Sequence, residues 1–151
     1  MSGGPVRHRS AARLRLGLAV VAALGVAALG LAGGAAAGRS VFIPFQTPSK
    51  NIGCGFTDQP NFLRCDINSR LKPEPASCEG EYGYAVGVKS TGRAYFLRVG
   101  DTVRVATARI LTYGMSWRRA GISCSSTAAG LRCVNGGGHG FFLSRDRSYL
   151  F

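Results

Sequence analysis

Two stretches of the chain repeat one cysteine pattern. "NIGCGFTDQPNFLRCDIN", residues 51–68, and "GISCSSTAAGLRCVN", residues 121–135, both read Ile-x-Cys, a short interval, then Leu-Arg-Cys. In each, two short alternating runs flank an interval rich in turn residues, the signature of a β-hairpin. Cysteines on the two arms of a hairpin come within disulfide range. The spacing therefore predicts bonds Cys54–Cys65 and Cys124–Cys133. A closed loop of that size stabilises by roughly 3 kcal/mol in the chain-entropy picture. That is a large part of the ~5–15 kcal/mol that holds an ordinary domain together. The fifth cysteine, Cys78, lies in "KPEPASCEGEYG", which reads as an exposed loop. An odd cysteine in an oxidising compartment is either a free thiol or an intermolecular bridge, here a Cys78-linked dimer.

The N-terminus supplies that compartment. Arg7, Arg9, Arg13 and Arg15 precede an uncharged run from Leu16 to Gly38, which ends in small residues before "GRS". A positive segment, an apolar segment and a small-residue boundary make a helical signal peptide, cleaved after about Ala37. The alternative is an uncleaved helical anchor through residues 16–38, since a bilayer needs about 20 apolar residues. The domain boundary follows: 1–38 is leader or tether, and 39–151 is a single exported domain. All five cysteines lie in that second part.

With the leader's arginines set aside, 15 Lys and Arg face 7 Asp and Glu, a net charge of +8. Such a balance favours polyanions, whether anionic lipid, envelope polymer or nucleic acid. Nucleic acid is the least expected of these outside a cell. The arginines are scattered singly, and only Arg118 and Arg119 adjoin, so these two are the candidate polyanion contact.

Beyond Tyr84 come short apolar runs: "YAVGV", "AYFLRV", "TVRVATARIL", "SWRRAGISC", "LRCV" and "GFFLS". They are rich in Val, Ile, Tyr and Phe, and Gly-rich turns separate them. "FIPFQTPSKNIG" reads as a lead-in to the first hairpin, and residues 70–84 as a loop. The pattern predicts an all-β fold, a small disulfide-stapled sandwich or barrel of antiparallel hairpins.

The segment with the most chemistry in it is "CVNGGGHGFFLS", residues 133–144. A glycine-rich phosphate cradle opens a helix, but these glycines precede a strand-like aromatic run. Asn135-Gly136 instead is the pair typical of a type I′ hairpin turn, which the extra glycines make a longer or bulged loop, with one of Phe141 and Phe142 pointing inward. His139 is the only histidine of the exported part, so any Ser–His or Cys–His chemistry would use it. Ser123, Ser144 and Asp101 are its candidate companions, yet no nucleophile motif accompanies them. With no Cys-x-x-Cys pair and one histidine, no four-ligand zinc set is expected. No other metal or cofactor is expected either.

The blocks "FQTPSKNIGC", "LRCDI", "GDT", "LTYGMSWRRAGISCSSTAAGLRCVN" and "GHGFFLSRDRSYLF" resemble a family of small secreted actinobacterial proteins of unknown function. The resemblance implies export, paired cysteines and a compact domain, and no activity. It also implies a further cysteine near Val99, without which Cys78 has no partner. The leading expectation is a non-enzymatic binding module acting at the cell envelope or beyond it, on an anionic polymer or lipid or on another secreted protein. A secreted hydrolase using His139 and a secreted enzyme inhibitor are the alternatives.

Overall fold

The protein is described by a computed structural model over residues 38–75 and 83–151. The leader and Cys78 lie outside the described residues. Alternation of apolar and small or polar residues builds eleven strands. Six form one antiparallel sheet apart from its last pairing: β1 (Phe42–Gln46), β2 (Ile52–Asp58), β3 (Asn61–Ile67), β4 (Gly83–Lys89), β5 (Tyr95–Val99) and β6 (Arg109–Ile110), in the order β5-β4-β3-β2-β1-β6. The other five form a second sheet: β7 (Ser116–Arg119), β8 (Ile122–Thr127), β9 (Gly130–Asn135), β10 (Gly140–Leu143) and β11 (Ser148–Leu150), ordered β11-β10-β9-β8-β7. The expected all-β fold is therefore a two-sheet sandwich.

Every second residue of the central strands enters one core. Ile52, Cys54 and Phe56 of β2, Leu63, Cys65 and Ile67 of β3, and Val86 and Val88 of β4 line the first sheet's inner face. Ile122, Cys124, Leu131, Cys133, Phe141 and Leu143 line the second. Cys54 stands directly opposite Cys65, and Cys124 opposite Cys133, each pair with Cα atoms 4.0 Å apart and bonded. Both predicted disulfides are thus present, buried in the sandwich core.

Three segments differ from the sequence expectation. "FIPFQ" is strand β1, not a lead-in. Pro44 is tolerated there because β6 pairs only with Phe45 and Gln46, so no partner asks for its missing N–H. "SWRRAGISC" is not one run but a hairpin. Ala120 (φ 47°) and Gly121 (φ 78°) sit between paired Arg119 and Ile122, the two positive-φ residues of a I′-class turn.

The third difference decides the architecture. "TVRVATARIL" alternates like a strand, yet only Arg109–Ile110 join a ladder. Residues 100–108 instead form a strap across the outer face of the six-stranded sheet, from its β5 edge to its β6 edge. Asp66, on that outer face, accepts hydrogen bonds from the Val103 amide (3.0 Å), the Thr102 hydroxyl (2.9 Å) and the Arg64 guanidinium (2.7 and 3.1 Å). Arg64 reaches on to the Asp101 carboxylate at 2.8 Å and its carbonyl at 2.6 Å. Arg104 donates to Asn68 Oδ1 and to the Lys50 carbonyl. Glycines make room. A Cβ on Gly53 would lie 2.6 Å from Arg104 Cγ, and one on Gly55 3.1 Å from Val103 and 2.4 Å from the Phe42 ring.

Burial opposes the Arg64 charge, but its bonds to Asp66 and Asp101 outweigh that and hold its pKa above the usual value. The hydrogen bond from Arg64 also draws the Asp101 carboxyl below the ordinary carboxylate range. That contribution is complete above the ordinary range and is lost as pH falls through it.

Asp66→Ala leaves Arg64 half-partnered under the strap and should destabilise the domain by about 3 kcal/mol or more in denaturant unfolding. Ser125→Ala, on the uncovered sheet, should stay within about 0.5 kcal/mol of the parent. Equal effects from the two would contradict the strap's role. Ala120 pays roughly 1 kcal/mol for its left-handed backbone, so Ala120→Asn should raise the unfolding free energy by about 0.5–1 kcal/mol in the same assay.

Candidate anion-binding face

The two echoing hairpins diverge on their outer faces. Where β2 carries Gly53 and Gly55 beneath the strap, β8 carries Ser123 and Ser125, half-buried with no chain segment bonded across them. Where Arg64 is tied to two carboxylates, its counterpart Arg132 is exposed and meets the Phe151 ring at 4.2 Å. Among the described residues no segment is hydrogen-bonded across the outer face of the β7–β9 part of the five-stranded sheet.

Strand register puts its residues in rows. Ser116, Ser125, Arg132, Phe142 and Tyr149 succeed one another across five strands, and Arg118, Ser123, Val134 and Gly140 form the next row. Phe142 and Tyr149 stack with ring centroids 5.3 Å apart, and the Arg147 guanidinium lies over both, at 5.2 and 5.8 Å. Ring faces hold a guanidinium while leaving its N–H donors available. Arg118, Arg132 and Arg147 make no ion pair among the described residues. Four strand spacings of ~4.8 Å set the outer strands of this sheet roughly 19 Å apart.

The adjacent pair read from the sequence, Arg118 and Arg119, lines one shallow cleft with Ile122, Ser123, Val134 and Asn135, although strand alternation starts the two side chains in opposite directions. Arg118 faces outward, whereas Arg119 turns to the sandwich edge, over the Phe56 ring at 5.6 Å. Arg118 gains a different neighbour. A cleft of about 240 Å³ between edge strands β6 and β7 is lined by Phe45, Arg109, Leu111, Ser116, Trp117 and Arg118. Trp117 forms its aromatic wall, stacked on Phe45 at 5.0 Å. Arg132, Arg147 and Arg109 were not singled out in the sequence, although a signal exists: no Asp or Glu occurs between Asp101 and Asp146.

The "NGGGHG" segment is built on Asn135. Its Oδ1 accepts from the Gly137 and His139 amides at 3.0 and 3.1 Å, and its Nδ2 donates to the Lys89 and Gly92 carbonyls at 3.0 and 2.7 Å. Neither Asn135 nor Gly136 has positive φ, so the pair opens the longer loop rather than a I′ turn; Gly138 supplies the positive φ, 79°. Gly140 must be glycine, because a Cβ would lie 1.9 Å from the Cys133 carbonyl oxygen. Phe141 is the ring that enters the core.

His139 is half-buried and lines a cleft of about 290 Å³ with Arg93, Ala94, Leu150 and Phe151. Its candidate companions lie elsewhere. Asp101 is engaged with Arg64 on the other sheet, Ser144 closes the β10–β11 turn through Asp146 and Arg147, and Ser123 stands on β8. No hydrogen bond joins any of them to His139. Among the described residues, no three His, Cys, Asp or Glu side chains come together to hold a metal ion, and no helix is long and apolar enough to cross a membrane.

A model of one protein family matches residues 22–151. The chain belongs to DUF6636, a family of unknown function. Neither curated proteins nor solved structures give a match. The DUF6636 fold seen here carries two disulfides, which suit an oxidising compartment outside the cytoplasm. Several family-like motif residues of this chain have structural work: Asn135 and Ser144 build turns, and Thr47 bonds both the amide and the carbonyl of Ile52.

Asn135→Ala removes four side-chain hydrogen bonds from the interior and should lower the unfolding free energy by about 2 kcal/mol or more. Hydrogen exchange at residues 136–139 should rise in this variant; unchanged protection there would contradict the anchoring role.

Proposed function

We propose that this DUF6636 domain is an exported, non-enzymatic binding module that takes anionic polymers or lipids of the cell envelope on the open face of its five-stranded sheet. One observation carries the reading. The strap closes the outer face of one sheet, while among the described residues the other has no such strap and carries Arg118, Arg132 and Arg147, none in an ion pair. The arginine-flanked apolar leader and the resemblance to secreted actinobacterial proteins support export. The domain's positive balance supports an anionic partner. Two of the three arginines rest on aromatic rings, so they lose little freedom when a carboxylate, sulfate or phosphate docks.

Heparin, a sulfated polyanion, is a direct probe. Wild type should bind it with an affinity that drops about tenfold or more as salt rises from low to high ionic strength. Replacing Arg118, Arg132 and Arg147 together by Gln should weaken binding at least ~tenfold, and replacing Arg70, Lys89 and Arg93 should change it by less than ~threefold. Equal losses from the two triple variants, or salt-independent binding, would contradict the assignment.

A further inference from the structure

Residues 109–121 are the longest exposed run of the described fold, interrupted only by Leu111 and Trp117. The run contains Arg109, Arg118 and Arg119 and no acid. It also contains three of the seven exposed large apolar side chains: Ile110 (43%), Tyr113 (50%) and Met115 (52%). Exposed apolar residues scattered singly need no explanation, but three within six residues, flanked by cations, make a surface of mixed character. Such a surface fits a bilayer interface, where apolar side chains enter the acyl boundary and arginines take headgroup phosphates.

The cleft between β6 and β7 lies in the same run. Arg109 reaches it from one sheet and Ser116, Trp117 and Arg118 from the other, over an apolar floor of Phe45 and Leu111. Two guanidinium-bearing residues and a hydroxyl around one small opening suit a single phosphodiester. Trp117, half-buried against Phe45 and Phe56, borders this opening.

We infer that the β6–β7 rim docks on an anionic phospholipid surface, seating a headgroup phosphate in the cleft beside Trp117 while Ile110, Tyr113 and Met115 enter the bilayer. This rests on the polyanion reading for its electrostatic part and adds the apolar contact that a soluble polymer does not need.

Trp117 is the chain's single tryptophan, so its emission reports this site alone, whatever the leader does. Vesicles of phosphatidylglycerol mixed into phosphatidylcholine should shift the emission to shorter wavelength, and brominated acyl chains should quench it. Pure phosphatidylcholine vesicles and soluble glycerol phosphate should do neither. Tyr113→Ser with Met115→Ser should weaken vesicle binding about tenfold while leaving heparin binding within ~twofold. Arg109→Gln with Arg118→Gln should weaken both. All four substituted positions are exposed, so an unchanged melting temperature confirms that each variant folds. An equal response to phosphatidylcholine or to glycerol phosphate would overturn the lipid assignment, as would vesicle binding indifferent to Tyr113 and Met115. Heparin binding without any vesicle response defeats this inference and leaves the polyanion reading standing; loss of both defeats both.

Discussion

The carboxylate of Asp66 organises this molecule more than any other single group. It is buried, and it gathers an amide, a hydroxyl and a guanidinium that all belong to, or lead to, the strap over the six-stranded sheet. A strand-like segment is thereby taken out of any ladder and laid flat across a face that would otherwise be solvated. Its backbone bonds to the Asp66 and Gln46 side chains, with one turn bond of its own from the Ala108 amide to the Val105 carbonyl, and its room comes from Gly53 and Gly55 beneath it. With one outer face closed in this way, the two outer faces of the sandwich are no longer equivalent.

That inequivalence is superimposed on a near-repeat. Both hairpins put a disulfide at the centre of a sheet and send the flanking Ile and Leu into a common core. A small β domain has limited apolar area to bury, and two short covalent loops reduce what the core must supply. The repeat breaks in informative places. Gly becomes Ser where the face is open, and the ion-paired Arg64 becomes the ring-supported Arg132. Phe56 becomes Ser126, a fully buried residue whose hydroxyl is the one buried side-chain polar atom without a partner among the described residues.

What was legible in the sequence was local. Alternation and turn residues gave the two hairpins, and facing cysteines in equivalent positions gave both disulfides, because a period of two fixes which residues share a face. The strap was misread as a strand because Val103 and Val105 alternate with polar residues just as a strand would; only the distant Asp66 shows where its hydrogen bonds go. Asn135-Gly136 has the composition of an I′ turn but opens the longer loop that its extra glycines make, whereas the I′-class turn lies at Ala120-Gly121, whose alanine does not advertise it. Of the candidate face, Arg118 was visible through its neighbour Arg119, with which it lines one cleft. Arg132 and Arg147 were not, since their place on the same sheet face as Arg118 depends on strand order rather than on spacing along the chain.

Among the described residues no hydrogen bond joins His139 to Ser123, Ser144 or Asp101, and Asn135 beside it is engaged in holding its turn. Backbone amide shifts read directly which face meets an anionic partner. On titration of the isotope-labelled protein with heparin, the largest perturbations should fall at Arg118, Arg132, Phe142 and Arg147, with residues 101–104 of the strap unmoved. Perturbations centred on the strap, or spread evenly over every cationic residue, would contradict binding on the five-stranded sheet.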